Sequence, residues 1–122
     1  MTKFKSQGFG NTFKNARKGF RLVLKSEMNI RVHIVIGFFV LLFAYILKFS
    51  ALEYCALLFA IAIVIVSEML NTAIEFALDS IYHNKYSKMV GMAKDISAGA
   101  VMFASVISVL VGLILFGKHL MA

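Results

Sequence analysis

Glu68, Asn71, Glu75 and Asp79 are separated by three, four and four residues. At about 100° per residue that spacing places all four on one helix face, with Thr72 and Tyr82 flanking it. Carboxylates stacked along one face repel one another unless cations or basic side chains offset them. Hard divalent ions such as Mg²⁺ prefer carboxylate oxygens and commonly arrive with substrate phosphates. Lys94 and a strongly basic N-terminal arm supply positive charge for such phosphates, and Glu68, at the apolar end of the stripe, stands where a general base is wanted. The pattern points to phosphoryl transfer. Proton-coupled and cation transporters also place carboxylates in apolar helices, so a small transporter or channel subunit using Glu68 and Glu75 as a relay is the rival reading, and it needs no nucleotide. A purely structural membrane subunit would leave the stripe without purpose. Neither a Walker P-loop nor a kinase Gly-rich loop occurs in the sequence, so a kinase here belongs to neither soluble class.

The elements that position these residues follow from composition. Apolar residues make up 61% of the 122 residues and the mean hydropathy is +0.86, against about 45–50% apolar content in ordinary soluble domains. With no proline and no Gly/Ser linker, one domain spanning residues 1–122 is expected. The single cysteine, Cys55, lies in an apolar run and reads as a buried small hydrophobe. A formal charge of +7 would suit nucleic acid, but eight of the thirteen Lys and Arg residues precede the first uncharged apolar run, among them Lys3, Lys5, Arg17 and Arg31. That distribution, beside long uncharged segments, excludes a nucleic-acid partner and points to a lipid bilayer. No signal-peptide cleavage site is visible, so the N-terminus is expected to remain in the mature protein.

The fold class expected is an all-α membrane protein with three transmembrane helices and an N-terminal amphipathic surface helix. From Asn11 or Thr12 as N-cap, Phe13, Ala16, Phe20, Val23 and Leu24 follow helical spacing with lysines and arginines elsewhere on the wheel, giving a basic surface helix over about 9–28. Packing of that helix on its own protein is the plainer alternative. Spans are expected over 30–48, 52–82 and 93–117, the second extending beyond the membrane. By helical rise Glu68 lies roughly 21 Å from Tyr54, within the inner part of the hydrocarbon layer. Carboxylates at such depth are costly and usually mark function, although a lone protonated Glu68 would also serve structure. In the third span Ala100, Ala104, Ser108 and Gly112 recur every fourth residue, a ladder suited to close helix packing within or between chains. Lysines and arginines cluster before the first span and at Lys85, Lys88 and Lys94, which places the N-terminus and the second loop in the cytoplasm and the C-terminus outside.

Three motifs, "SEMNIRVH" at 26–33, "SEMLNTAIEFALD" at 67–79 and "AKDISAGAV" at 93–101, resemble the prokaryotic diacylglycerol kinase family of small trimeric membrane lipid kinases, especially its undecaprenol kinase branch. The second fits a very specific Glu-x-x-Asn-[Ser/Thr]-Ala-Ile-Glu-x-x-x-Asp pattern, and the resemblance runs from about residue 9 to 116. It implies a homotrimer with active sites between subunits, using ATP and Mg²⁺ on a membrane lipid alcohol, undecaprenol in preference to diacylglycerol. Carried over, Glu68 resembles the general base, and Glu27 and Glu75 resemble the carboxylates that hold Mg·ATP. Asn71 and Asp79 resemble site-lining polar residues. Lys94 and Asp95 resemble nucleotide contacts, Lys94 towards the phosphates. The second loop departs from the pattern by one extra residue, so that either Tyr82-His83 or Tyr86-Ser87 answers to the family's Tyr-His pair. His83 is left without a role. His33 fits an undecaprenol-type Glu-x-Asn-x-Arg-x-His run or an interfacial side chain, and His119 shows no partner in the sequence.

Overall fold

A computed structural model describes residues 8–83, 85 and 87–122. Lys3 and Lys5 of the basic arm, and Tyr86 of one loop pairing, lie outside them. Four helices follow in order: α1 (Phe9–Ser26), α2 (Met28–Ile46), α3 (Ala51–Tyr82) and α4 (Lys88–Leu120).

Each helix end has a local cause. The first helix starts earlier than Asn11 or Thr12: Gly8 is the N-cap in extended conformation and its carbonyl accepts from the Thr12 N–H at 3.0 Å. Glycine is tolerated there, and nothing at Phe9 or Gly10 breaks the helix. It ends at Glu27, whose extended backbone (φ −119°, ψ 112°) separates α1 from α2. Arg31, one turn into α2, donates from Nη1 to the Leu24 and Lys25 carbonyls at 3.1 and 3.2 Å, capping carbonyls that α1 leaves unpaired. The helix that carries the span expected over 30–48 is Met28–Ile46; it ends there because the chain turns at Lys48 (φ 62°), with Lys48 N–H on Tyr45 O and Phe49 N–H on Ala44 O, both 3.1 Å. This is the left-handed close of a helix C-terminus. Ser50 and Glu53 form a reciprocal capping box at the start of α3. At its other end His83 adopts the left-handed conformation (φ 49°), its N–H on Asp79 O at 2.9 Å. The last helix begins at Lys88, capped by the Ser87 hydroxyl, rather than near residue 93.

The three helices α2, α3 and α4 are long and apolar enough to cross a membrane, which fits a multi-span membrane helical bundle. With 32 residues, α3 is about 48 Å long, well beyond a hydrocarbon layer of about 30 Å. It is the centre of the bundle, packing on both α2 and α4. At the end distant from α1 the core gathers Ala44, Phe49 and Leu57 with Tyr54 and Phe116 around them. Part of the small-residue ladder works within the chain: Ala104 is buried and the Ser108 hydroxyl donates across to the Ala60 carbonyl at 2.8 Å. Between α2 and α3, Gly37 lets the backbones close in, since a Cβ there would meet Ile61 Cγ2 at 3.0 Å. Large apolar side chains such as Phe38, Phe59, Phe103 and Leu113 point outward, as a surface covered by lipid would have them. Cys55 is exposed as well. The expectation of burial fails because Cys55 sits on the face of α3 turned away from its two neighbours.

Candidate active site

The deeper part of the polar stripe of α3 is packed against its neighbouring helices. Glu68 and Thr72 are buried, at 8% and 5% exposure. The Thr72 hydroxyl is turned back onto the Glu68 carbonyl at 3.0 Å, which leaves the Glu68 side chain to find its partner elsewhere. It finds His33 on α2, with Nδ1 2.7 Å from Oε2. His33 is therefore more than an interfacial side chain. One turn on, Asn71 accepts from the Ser97 hydroxyl of α4 at 2.5 Å and donates to Glu75 Oε1 at 3.2 Å. The two bonds fix which end of the amide points at α4 and which at the carboxylate. Two further turns on, Lys94 Nζ lies 2.8 Å from Asp79 Oδ1, both side chains well exposed.

Two cavities open along this stripe. A polar one of about 210 Å³ is lined by Glu27, Asn29, Glu68, Asn71 and Thr72, closed by Ala98 and Val101 of α4. The break between α1 and α2 brings Glu27 to its rim, so the Arg31 cap has a consequence for the site. The second, of about 190 Å³, lies at the end of α3 between Asp79, Tyr82, Lys85, Gly91 and Lys94. On the apolar side of Glu68 a third groove of about 440 Å³ runs between α2, α3 and α4 from His33 to Phe116, its wall almost wholly hydrocarbon.

Of the candidate residues, Glu27, Glu68 and Asn71 share one cavity, Glu75 joins it through Asn71, and Asp79 and Lys94 share the next. Asp95 is exposed and borders neither. Among the described residues no three His, Cys, Asp or Glu side chains converge as a metal cage. Mg²⁺ takes one or two carboxylates and keeps water and phosphate oxygens for its other positions. The oxygen donors of Glu27 and Glu75 fit such an ion. His119 does have a partner: its Nε2 lies 3.0 Å from Glu53, with Lys118 Nζ at 3.2 Å and the ring stacked on Phe49. Sequence spacing could not show it, because the pair joins the two far ends of α3 and α4.

The family model described as prokaryotic diacylglycerol kinase matches residues 14–116, which covers all three motifs and every residue of both polar cavities. The chain belongs to the prokaryotic diacylglycerol kinase family. Within that family it is 32% identical over 101 residues to a diacylglycerol kinase of Synechocystis sp., covering 83% of this chain and 58% of the relative. It is 32% identical over 108 residues to an undecaprenol kinase of Bacillus subtilis, covering 88% and 87%. It is 30% identical over 102 residues to a diacylglycerol kinase of Escherichia coli, covering 84% and 83%. This member of the prokaryotic diacylglycerol kinase family thus spans less than two thirds of the cyanobacterial relative and most of the other two.

Proposed function

We propose that the chain is an ATP- and Mg²⁺-dependent lipid kinase of the cytoplasmic membrane, acting as a homotrimer on the hydroxyl of a membrane alcohol, undecaprenol before diacylglycerol. One observation carries this reading: the buried Glu68 carboxylate stands between an apolar groove and a polar cavity bordered by oxygen and amide donors. A greasy alcohol approaches from one side and a charged triphosphate from the other. Glu68 accepts the alcohol proton. Asn71, Asp79 and Lys94 contact the nucleotide, with Lys94 turning from Asp79 to the phosphates, and Asp95 contacts it from outside both cavities. Glu27 and Glu75 hold Mg²⁺, which when bound neutralises charge on the phosphate oxygens. Most of the rate then comes from positioning and charge neutralisation.

The basic end of the bundle faces the cytoplasm in this reading, and the C-terminus lies outside. Helix α1 leaves Phe9, Phe13 and Phe20 exposed and buries only Val23, which suits a helix lying in the headgroup layer. Undecaprenol is preferred because Glu27, Asn29, Arg31 and His33 reproduce the run that marks that branch. The test is transfer of labelled phosphate from ATP to each alcohol by purified protein in lipid. Faster transfer to undecaprenol is expected. Transfer confined to diacylglycerol would remove the substrate preference, and no transfer to either by folded protein would remove the kinase reading.

A further inference from the structure

His33 has no part in the roles given above, yet its ring is the side-chain partner of the Glu68 carboxylate among the described residues. It stands at a boundary. The imidazole lines the apolar groove, while Glu68 lines the polar cavity, and the 2.7 Å bond from Nδ1 to Oε2 joins the two. Few other groups compete for that carboxylate. Glu27 lies across the same cavity, Asn29 is neutral, and Arg31 is taken up by the α1 carbonyls. From α4 only uncharged residues face these spaces, Ala98 and Val101 on one side and Ser105 and Ser108 on the other. A carboxylate with one oxygen held by a directed N–H has its second oxygen fixed in place as well.

Resting on the kinase reading, we propose that His33 is the positioning residue of the base: its Nδ1–H holds Glu68 Oε2 so that Oε1 meets the lipid hydroxyl. In the step so arranged, the alcohol proton passes to Oε1 while an oxygen lone pair forms the new bond to the γ-phosphorus. The bond from that phosphorus to the β-bridging oxygen breaks, and its electron pair leaves with ADP. His33 keeps its proton throughout and takes no part in the bonds made or broken.

Asparagine presents an amide N–H near the place of Nδ1, whereas leucine fills the space and donates nothing. With the alcohol that the wild-type protein phosphorylates, His33→Leu is expected to lower kcat on the order of tenfold to a hundredfold, the value of a hydrogen bond to a charged group, with KM for ATP and lipid unchanged. His33→Asn should recover most of that loss. In a Glu68→Gln background His33→Leu should cost little more, because the two residues act as a unit. An unaltered kcat in His33→Leu, equal losses in the leucine and asparagine variants, or a raised lipid KM at constant kcat would overturn the proposal, the last making His33 a wall of the groove. If His33→Leu does not fold in detergent, His33→Gln replaces it under the same criteria, since its longer amide reaches past the Nδ1 position. A wild-type protein without transfer to any lipid alcohol overturns the kinase reading and this proposal with it, whereas an active wild type with full activity in the leucine variant overturns only the role of His33.

Discussion

Replacing Glu68 by glutamine separates the chemistry of this residue from its part in the fold. The side chain is buried at 8% exposure and hydrogen-bonded to His33 at 2.7 Å. Glutamine has nearly the same volume, so no cavity opens, and its amide oxygen still accepts from the imidazole. What is lost is the charge on the acceptor. A hydrogen bond to a charged group contributes about 1.5–3 kcal/mol and a neutral one about 0.5–1.5 kcal/mol, so the fold should lose only about 1 kcal/mol. The barrier loses far more, because a positioned base contributes roughly 10²–10⁴-fold, equivalent to about 3–5 kcal/mol. Glu68→Gln should therefore melt close to the wild type while its transfer of labelled phosphate to lipid alcohol falls by at least two orders of magnitude. Thermal unfolding in detergent and transfer under saturating ATP and lipid, measured on the same preparation, check both halves. A variant that keeps a third or more of wild-type turnover would refute the base. One that fails to fold would refute the claim that an uncharged acceptor suffices beside His33.

Three further outcomes follow from the same geometry. Glu75→Gln leaves the amide–amide bond from Asn71 possible and should raise the Mg²⁺ concentration for half-maximal turnover without unfolding the protein, read by a metal titration at fixed ATP. Lys94→Met removes an exposed ion pair, which contributes little to folding, but should raise KM for ATP roughly ten- to a hundredfold if the ammonium turns to phosphate; steady-state kinetics and a melting curve distinguish the two. Gly37→Val forces a branched side chain against Ile61, where a Cβ alone meets Cγ2 at 3.0 Å, and overpacking of that kind costs about 1–3 kcal/mol. Since His33 lies one turn away on the same helix, that variant should lose both melting temperature and turnover, whereas Gly37→Ala should lose less of each.

The stripe of α3 was legible because a three-four-four spacing of polar residues in an apolar helix has few causes, and Glu68 meets His33 of α2 while Asn71 and Asp79 meet Ser97 and Lys94 of α4. The helices themselves were legible from uncharged length. Their ends were less so. Asn11 and Thr12 carry good capping side chains, but a cap acts only where the helix starts, and it starts at Phe9. The helix carrying the span expected to end at Lys48 stops at Ile46 because a left-handed turn, which no glycine announces, is stabilised by Phe49 entering the core. Contacts between distant segments were the least legible. His33 meets Glu68 across 35 positions and His119 meets Glu53 across 66; one-dimensional spacing holds no information about either. The notable signal for His33 was the Glu-x-Asn-x-Arg-x-His run at 27–33. In the structure Glu27 and Asn29 border the polar cavity, Arg31 caps α1, and His33 bonds to Glu68.

The two ends of α3 divide the work of the protein. One end carries the apolar cluster of Ala44, Phe49 and Leu57, and there Glu53 ties the capping box of α3 to Lys118 and His119 at the end of α4. The other end buries Glu68, Thr72 and Ser97, groups that destabilise a bundle unless each has a partner. Each does, and among the described residues no buried side-chain nitrogen or oxygen is without one. Glu68 and Ser97 find theirs on another helix, His33 of α2 and Asn71 of α3, while Thr72 bonds back to the Glu68 carbonyl of its own helix. The polar bonds that make burial tolerable are thus the same bonds that set the distances of the site. A bundle packed at its far end on an apolar cluster can carry such an array of buried polar groups.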